Sequence, residues 1–419
     1  MKSVLIIAYF FPPLSGGGVQ RTLKFVKYLP IFNYKPIVLT PSPILLRYYA
    51  YDKGLLKEIP ESVKIYNSFI LDLNWFFKIL YGLKLTKLVN FINGTLLFPD
   101  YQIQWLPFAK MKIKKIMKKE KIDIIYITSP PHSTQILVKW IKNLFQVPVV
   151  IDFRDPFTFN YKRKSSNFFN KCFTFEKKIL ESTDFIIANT PLNKKNYVEK
   201  FHIPENKVDL ITNGFDQSDF ENIKIEKVED RKILFSHIGH FHGEYNAHPF
   251  LYALSKIKHK VRNVEFRFIG GLTYQDKKLV KKLKLENIIK IVDYCSHEKA
   301  VEYNQRSSYL LLIQPNKEFK NYIPGKTFEY INSNKKILAI IPKNGSCAEI
   351  IRNTKTGEII SPDNIDEIVD SILGYIENYK KEDFEPNWAE IKKYERKNLT
   401  KKLKNIFDEV IDHQKSRNK

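Results

Sequence analysis

An apolar run, a glycine-rich loop and a helical pattern follow one another in residues 3–29, which read SVLIIAYFFPPLSGGGVQRTLKFVKYL. Residues 3–9 are continuously apolar, as buried parallel strands are. Residues 19–29 have the apolar periodicity of a helix. A strand that leads through a glycine-rich loop into a helix indicates the start of a doubly wound parallel sheet.

The alternation of strands and helices continues through the first half of the chain. Thr190-Pro191 begins one of the helices, with the hydroxyl as the N-cap and proline at the first helical position. Strands are predicted over residues 35–39, 123–127, 147–151, 185–188 and 208–211.

A charged stretch without aromatic residues, 223–231, is interpreted as a linker, because the same pattern restarts after it. Strands are then predicted over residues 232–238, 264–269, 288–292, 309–313 and 336–341, and a helix over about 388–413 ends the pattern. The sequence therefore predicts an α/β protein with two Rossmann-like domains. We place them at 1–222 and 223–387, followed by a C-terminal helix and tail at 388–419. We expect this helix to cross back to the first domain.

The length and the cysteine content of the chain indicate how many domains it forms and in which cellular compartment it resides. A chain of 419 residues is long enough for two domains. Its three widely spaced cysteines, Cys172, Cys295 and Cys347, favour a reducing compartment over a disulfide framework or a zinc site. The apolar stretch after Met1-Lys2 is too short for a membrane span and has no cleavage site after it, so we expect a cytoplasmic protein.

The formal charge of +24 has three interpretations: a nucleic acid partner, an anionic membrane surface, or a lysine-rich proteome. No nucleic-acid-binding motif accompanies the charge, and no such partner is expected. Residues 74–92 are aromatic and apolar, but Lys78, Lys84 and Lys87 interrupt them, and this excludes a bilayer span.

A basic amphipathic helix is predicted over residues 106–120, with an apolar stripe at Leu106, Ala109, Ile113 and Ile116. Such a helix suits an anionic membrane surface. Equally, its stripe could be buried against the sheet with its lysines in solvent.

Two segments have the composition of phosphate-binding loops. The loop that ends at Gly16, Gly17 and Gly18 opens a helix, where glycines admit a close approach and free N–H groups attract anions. It does not match G-x-G-x-x-G, so a dehydrogenase is disfavoured, and a plain tight turn is the alternative. In the segment Ile323–Tyr330, Pro324 and Gly325 begin a helix, and Glu329 one turn later is either a ligand for vicinal hydroxyls or a solvated carboxylate.

Together with three further segments, these two form a recognisable order along the whole chain. The further segments are residues 213–216 (NGFD), 268–271 (FIGG) and 344–346 (NGS), and residues 152–156 read DFRDP. In this order the chain resembles the family 4 glycosyltransferases. Their GT-B fold has two facing Rossmann-like domains, and the nearest branch builds bacterial surface polysaccharides.

The resemblance implies roles for individual residues. In the family's E-x₇-E signature the second Glu binds the nucleotide ribose and matches Glu329. The first approaches the donor sugar and falls on Asn321, which can hydrogen-bond but carries no charge. The Gly16–Gly18 loop matches the one that lies against the donor diphosphate. His132 matches a histidine that faces the transferred sugar, and without the family it would be an ordinary loop histidine.

The sequence departs from the family where relatives place an Arg and a Lys to neutralise the leaving diphosphate. Residues 239–244 read GHFHGE and contain neither. A leaving diphosphate needs positive charge or strong donors. The candidates are Lys326, His240 and helix N-termini, and we favour Lys326 because its neighbours fit the site.

We therefore expect a retaining transfer of a hexose-type unit from a nucleoside-diphosphate sugar, bound by the second domain, to a glycan acceptor bound by the first. No D-x-D pair stands at a strand end, and neither a metal nor another cofactor is expected. The resemblance implies a lipid-linked acceptor and peripheral contact with the inner face of the membrane. The alternatives are a nucleotide-sugar epimerase or hydrolase of the same fold and a non-catalytic nucleotide- or glycan-binding protein.

Overall fold

A computed structural model describes residues 1–46, 49–71, 73–160, 166–221, 232–241, 245–314, 317–381 and 383–417 of the chain. The chain divides into a first unit, Met1–Thr212 with Arg396–Lys419, and a second unit, Asn213–Glu395. The divisions predicted from the sequence lie at 222/223 and 387/388. The predicted linker, 223–231, lies outside the described residues.

The segment 213–216, expected to end the first domain, belongs to the second unit. Its Phe215 is buried in the core of that unit together with Ile391. The backbone N–H of Phe215 also donates to the carbonyl of Tyr394, at 3.1 Å. Apolar packing and main-chain pairing therefore hold this segment in the second unit.

The first unit contains a parallel sheet with the strand order β3-β2-β1-β4-β5-β6-β7. Its strands are β1 (Lys2–Ile7), β2 (Tyr34–Pro41), β3 (Lys64–Ser68), β4 (Ile124–Ser129), β5 (Val149–Phe153), β6 (Phe185–Ala188) and β7 (Val208–Leu210). Alternate residues of a strand point to opposite faces. Leu5 and Ile7 enter one core and Val4 and Ile6 the other, which explains why β1 is apolar without interruption.

The helices between these strands are α1 (Gly17–Tyr28), α2 (Asn74–Gly82), α3 (Thr86–Thr95), α4 (Leu106–Lys119), α5 (Leu137–Leu144), α6 (Ser166–Ser182) and α7 (Pro191–Glu199). The hydroxyl of Thr190 caps α7, as predicted, by accepting from the backbone N–H of Asn193. Helix α4 buries its apolar stripe in the first core. Of the two interpretations of this helix, burial against the sheet is confirmed, and the stripe does not face a membrane.

The second unit repeats the architecture with the strand order β10-β9-β8-β11-β12-β13. Its strands are β8 (Ile233–Ile238), β9 (Val264–Ile269), β10 (Ile289–Val292), β11 (Tyr309–Ile313), β12 (Ile337–Ile340) and β13 (Gly357–Ile360). Its helices are α8 (Ser218–Glu221), α9 (His248–Ile257), α10 (Tyr274–Lys282), α11 (His297–Arg306), α12 (Lys326–Asn332), α13 (Ser346–Thr354), α14 (Ile365–Glu377) and α15 (Trp388–Ile391). The prediction of two Rossmann-like α/β domains is confirmed.

The C-terminal helix differs in one respect from its prediction as a single helix over 388–413. The chain is extended at Glu395, which pairs with Phe215, and a new helix, α16 (Arg396–Arg417), begins after it. As expected, α16 returns to the first unit. It packs Leu403 and Phe407 against the face of the sheet that carries Val4 and Ile6. Within the described residues, we find no helix whose length and hydropathy would allow it to cross a bilayer.

A buried ion pair joins α1 to the sheet of the first unit. Nε of Arg21 lies 2.7 Å from one carboxylate oxygen of Asp152, and Nη2 lies 2.8 Å from the other. The same guanidinium donates to the carbonyls of Ile211 and Thr212 at 2.8 and 2.5 Å. Arg21 is completely buried, so these bonds replace the water that its charge has lost.

Replacing Phe407 by Ala should lower the free energy of unfolding of the first unit by about 3–5 kcal/mol, because it leaves a cavity between α16 and the sheet. The measurement is urea unfolding followed by tryptophan fluorescence in a Trp388→Phe background, in which the remaining tryptophans (Trp75, Trp105 and Trp140) all belong to the first unit. Asn405→Ala, on the exposed side of α16, is the control and should change the value by less than about 0.5 kcal/mol. Equal effects of the two substitutions would contradict the packing of α16.

Candidate active site

The second unit has the strand order in which open parallel sheets bind ligands. Strands β8 and β11 are neighbours, and the strands that follow them continue on opposite sides. In such sheets the crevice lies outside the carboxyl ends of the two strands at this switch point. Here Gly239 follows β8 and Gln314 follows β11.

Lys326 is the first residue of α12, and its side chain reaches the end of β8. Its Nζ lies 2.7 Å from Nε2 of His237. A Cβ atom on Gly239 would stand 2.8 Å from Nζ, closer than real contacts allow, and Gly239 also has φ +120°. The glycine therefore provides the space that the lysine occupies.

The hydrogen bonds of His237 determine which of its nitrogens carries the proton. Nδ1 lies 2.9 Å from the carbonyl oxygen of Leu311 on β11, and a carbonyl can only accept. Nδ1 therefore bears the hydrogen, Nε2 accepts, and Lys326 donates. Burial and, secondly, the charge of Lys326 hold the pKa of His237 well below its ordinary value, so the imidazole is neutral.

The surroundings of Lys326 disfavour its charge. Burial lowers its pKa to about 7, although nearby Glu329 and Cys347 act in the opposite direction. The rings of Phe241 and Tyr245 lie 5.9 and 5.6 Å from Nζ. An anion placed against Nζ would restore the charged form, and the hydrogen bond to His237 leaves further N–H donors for it.

Glu329 lies one helical turn after Lys326 and pairs with a histidine that the sequence analysis did not single out. Its Oε1 is 3.1 Å from Nε2 of His297, the first residue of α11. Both side chains are partly exposed, by 23% and 47% respectively. The carboxylate is therefore accessible to hydroxyl groups of a ligand, with an imidazole beside it.

The remaining predicted residues of this unit surround the start of α12. Pro324 and Gly325 lead directly into the helix, with Gly325 as its N-cap. Asn321 ends a 3₁₀ turn, Lys317–Asn321, and is partly buried. Nδ1 of His240 lies 2.9 Å from the carbonyl oxygen of Gly270, so this ring is held against the main chain. Residues 242–244 of the stretch that lacks Arg and Lys lie outside the described residues.

In the first unit, the glycine loop opens α1 as predicted. Gly16 is the N-cap residue and has φ +103°. A Cβ atom on Gly16 or Gly17 would meet nothing within 4 Å, so the protein leaves the space above these residues open. Gly18 differs, because its carbonyl accepts from Arg154.

Arg154 links the glycine loop to the loop that precedes His132. Besides Gly18, its guanidinium donates to the carbonyl of Ser129, at 3.1 Å from Nε, and to that of Pro130. His132 itself is buried, and its ring centroid lies 4.7 Å from that of Phe157. Arg154 thus brings together two of the loops that the sequence analysis selected in this unit.

Family comparisons agree with this architecture. A family model described as Glycosyltransferase Family 4 matches residues 15–219, and one described as Glycosyl transferases group 1 matches residues 218–393. The chain belongs to the family 4 glycosyltransferases. The resemblance inferred from the sequence motifs is confirmed, and the protein is an enzyme of the glycosyltransferase class.

Solved structures similar to this glycosyltransferase share its fold over the whole chain. A glycosyltransferase from Rickettsia africae ESF-5 has a TM-score of 0.67 at 19% identity, with 98% of each chain covered. Anabaena HepE in complex with UDP and glucose has a TM-score of 0.66 at 13% identity, covering 97% of this chain and 100% of that one. The apo form of WaaB, a lipopolysaccharide outer core galactosyltransferase, has a TM-score of 0.60 at 15% identity, covering 98% and 100%. No curated protein sequence matches the chain.

Three residues of the site in this glycosyltransferase were not predicted from its sequence: His237, His297 and Arg154. His237 stands inside an apolar strand, where the pattern gives it no functional sign. His297 meets Glu329 through the packing of α11 and α12. Arg154 lies in the DFRDP segment, quoted for the resemblance, but its bonds join loops that are far apart in sequence.

The lowered pKa of Lys326 makes the stability of the transferase depend on pH. Below about pH 7 the folded and unfolded chains both carry the ammonium, and its burial destabilises the folded state in full. Between pH 7 and the ordinary value of 10.5 the folded state has released this proton and the unfolded chain retains it, so the free energy of unfolding rises with pH. The stability of Lys326→Met relative to wild type should therefore fall as the pH is raised from about 7 to about 10, measured by calorimetry.

Lys277→Met is the control for this experiment, because Lys277 is an exposed lysine of the same unit. Its stability relative to wild type should change little over the same range. A difference between Lys326→Met and wild type that stays constant with pH would show that burial does not lower the pKa of Lys326.

Proposed function

We propose that this glycosyltransferase moves a hexose-type sugar from a nucleoside-diphosphate sugar to a lipid-linked glycan acceptor during synthesis of a surface polysaccharide. The observation that carries the donor assignment is Lys326, a partly buried lysine at the switch point whose hydrogen-bond partner is a neutral imidazole. Its Nζ lies beside Gly239, the first residue of the stretch in which the family resemblance implies an Arg and a Lys. Lys326 is thus our candidate for the positive charge that the sequence omits there.

Lys326 would act on the leaving group. As the bond between the sugar and the diphosphate breaks, negative charge develops on the diphosphate, and donors already in place stabilise it without reorganisation. His237 holds Nζ in position while its Nδ1–H is fixed by Leu311. We further propose that the transfer retains anomeric configuration, as the family resemblance implies, and needs no metal ion because Lys326 supplies the charge.

Glu329 would bind the ribose of the donor, and the pairing with His297 would keep its carboxylate directed to that position. A carboxylate can accept from both vicinal hydroxyls. Asn321, at the place of the family's first glutamate, is proposed to hydrogen-bond the donor sugar. Pro324 and Gly325 would contribute backbone groups at the start of α12.

In the first unit, we assign the Gly16–Gly18 loop to a phosphate of the donor and His132 to the transferred sugar, as the resemblance implies. The open space above Gly16 and Gly17 supports the first assignment. The acceptor would also bind this unit. HepE was solved with UDP and glucose and WaaB acts in the lipopolysaccharide outer core. HepE supports a uridine-type donor, and WaaB supports an acceptor of the lipopolysaccharide type. That the acceptor is lipid-linked and bound at the inner face of the membrane is proposed from the family resemblance.

A thermal-shift screen of nucleotides and nucleotide sugars, run in EDTA, tests the donor assignment. A nucleoside diphosphate of one base, with UDP expected first, should raise the melting temperature of the second unit. Glu329→Ala should weaken its binding by about 10–100-fold, because a hydrogen bond to a charged group contributes about 1.5–3 kcal/mol. Glu349→Ala, at an exposed glutamate of the same unit, should bind like wild type. No shift with any nucleotide would contradict the proposed donor site.

A pair of glycine substitutions in the same titration isolates the contribution of Lys326. Gly239→Ala and Gly271→Ala both place alanine at a positive φ, of +120° and +91°. Only the first adds a methyl group against Nζ of Lys326, since a Cβ atom on Gly271 meets nothing within 4 Å. Gly239→Ala should therefore weaken nucleotide binding much more than Gly271→Ala, and equal effects would contradict the role of Lys326.

A further inference from the structure

The hairpin of helices formed by α2 and α3 has one face packed on the protein. Phe77, Leu80 and Val89 are buried together in a small cluster, against which Tyr101 also packs. The hydroxyl of Tyr101 lies 2.6 Å from that of Tyr49. The inner face of the hairpin is therefore already attached to the first unit.

The rest of the hairpin presents large apolar side chains to solvent. Seven of them are between 45% and 72% exposed: Trp75, Ile79, Tyr81, Leu83, Leu88, Phe91 and Leu96. Single exposed apolar residues are common on protein surfaces, but a concentration of them in one short segment marks an interaction site.

The charges of this surface indicate which kind of partner it binds. Residues 73–99 contain no Asp or Glu, while Lys78, Lys84 and Lys87 are interspersed among the apolar residues and are exposed. Apolar side chains with lysines between them, and a tryptophan among them, are suited to the boundary between acyl chains and headgroups of an anionic bilayer. Each helix has at most ten residues, so the hairpin fits a position in the membrane surface rather than across it.

The chain that leaves the hairpin leads to a residue of the proposed site. Phe98 follows α3 closely, and its ring centroid lies 6.2 Å from that of Phe157. Phe157 in turn contacts His132, at 4.7 Å between ring centroids. A membrane that held the hairpin would therefore be joined to the His132 region by a short row of aromatic rings.

We propose that the exposed face of the α2–α3 hairpin is the surface by which this enzyme docks on an anionic lipid bilayer. The apolar side chains enter the upper part of the acyl chains, and Lys84 and Lys87 contact the headgroups. This proposal rests on the membrane-associated function proposed above and names the surface that makes the contact. The hairpin takes the place of helix α4 as the membrane-binding element, because the apolar stripe of α4 is buried. Docking needs neither donor nor acceptor, so it can be tested independently of the transfer reaction.

The test is co-sedimentation of the full chain with vesicles of phosphatidylcholine containing about one third phosphatidylglycerol. Wild type should pellet with these vesicles and much less with pure phosphatidylcholine. The triple substitution Ile79→Ser, Leu83→Ser and Phe91→Ser should weaken binding by at least about tenfold. The matched control replaces three equally exposed apolar residues of the same unit, Ile31, Ile44 and Leu144, by Ser and should bind like wild type.

A second pair of variants tests the part played by charge. Lys84→Glu with Lys87→Glu should abolish the preference for anionic vesicles, whereas Lys277→Glu with Lys281→Glu, the same change of charge on α10, should preserve it. Unchanged melting temperature and nucleotide binding establish that the variants are folded. Failure of wild type to pellet, or pelleting that the triple substitution leaves unchanged, would overturn the proposal. So would a wild-type dimer that the triple substitution converts to a monomer without vesicle binding, because the hairpin would then be an interface between copies of the chain.

Discussion

The bidentate pair between Arg21 and Asp152 is the interaction on which the first unit depends. Moving each ion out of water costs several kcal/mol. The pair offsets this cost because each nitrogen of the guanidinium donates to a carboxylate or carbonyl oxygen. Those partners lie on β5 and immediately after β7, so one side chain fixes α1 across three strands of the sheet. Because α1 begins at the glycine loop, the position of that loop follows from the pair. Arg154, two residues after Asp152, then ties the same loop to the one before His132.

The second unit uses a cation in the opposite way. The charge of Arg21 is neutralised by the carboxylate of Asp152 in direct contact, so its role is structural. Lys326 donates to a neutral imidazole, while the carboxylate of Glu329, one turn further along α12, is hydrogen-bonded to His297. Burial therefore lowers the pKa of Lys326 by more than the charge of Glu329 raises it. Such a site gains most from an anionic ligand, and this distinguishes a binding lysine from a structural arginine.

The fold could be predicted from the sequence largely because central parallel strands are apolar on both faces. Runs such as residues 3–9 and 309–313 can be identified as strands from the local sequence, without knowing which strands they pair with. The two strands that escaped prediction, β3 and β13, are edge strands with fewer buried residues, and their patterns are correspondingly weak. The break at Glu395 was missed because the residues on both sides are good helix formers. It arises from a long-range pairing with Phe215.

The site was only partly predictable. Glu329 and Lys326 belong to a contiguous motif, and the missing Arg and Lys pointed to Lys326 as their substitute. The contact between Lys326 and His237, however, exists because β8 and β11 are neighbours, and strand order is not written in a local pattern. For the same reason helix α4, with its regular stripe and its lysines, attracted the membrane interpretation, whereas the exposed apolar face lies on the less regular α2–α3 hairpin.

The most direct test of the role of Lys326 is proton uptake on nucleotide binding, measured by isothermal titration of UDP at pH 8 in buffers of different ionisation enthalpy. At this pH the diphosphate is already ionised, while a lysine with a pKa of about 7 is mostly neutral until an anion raises its pKa. Wild type should therefore take up close to one proton for each nucleotide bound. Lys326→Met should still bind UDP, although more weakly, and should take up almost no protons. Binding of UDP by wild type without proton uptake, or with the same uptake in Lys326→Met, would contradict the binding of the diphosphate by Lys326.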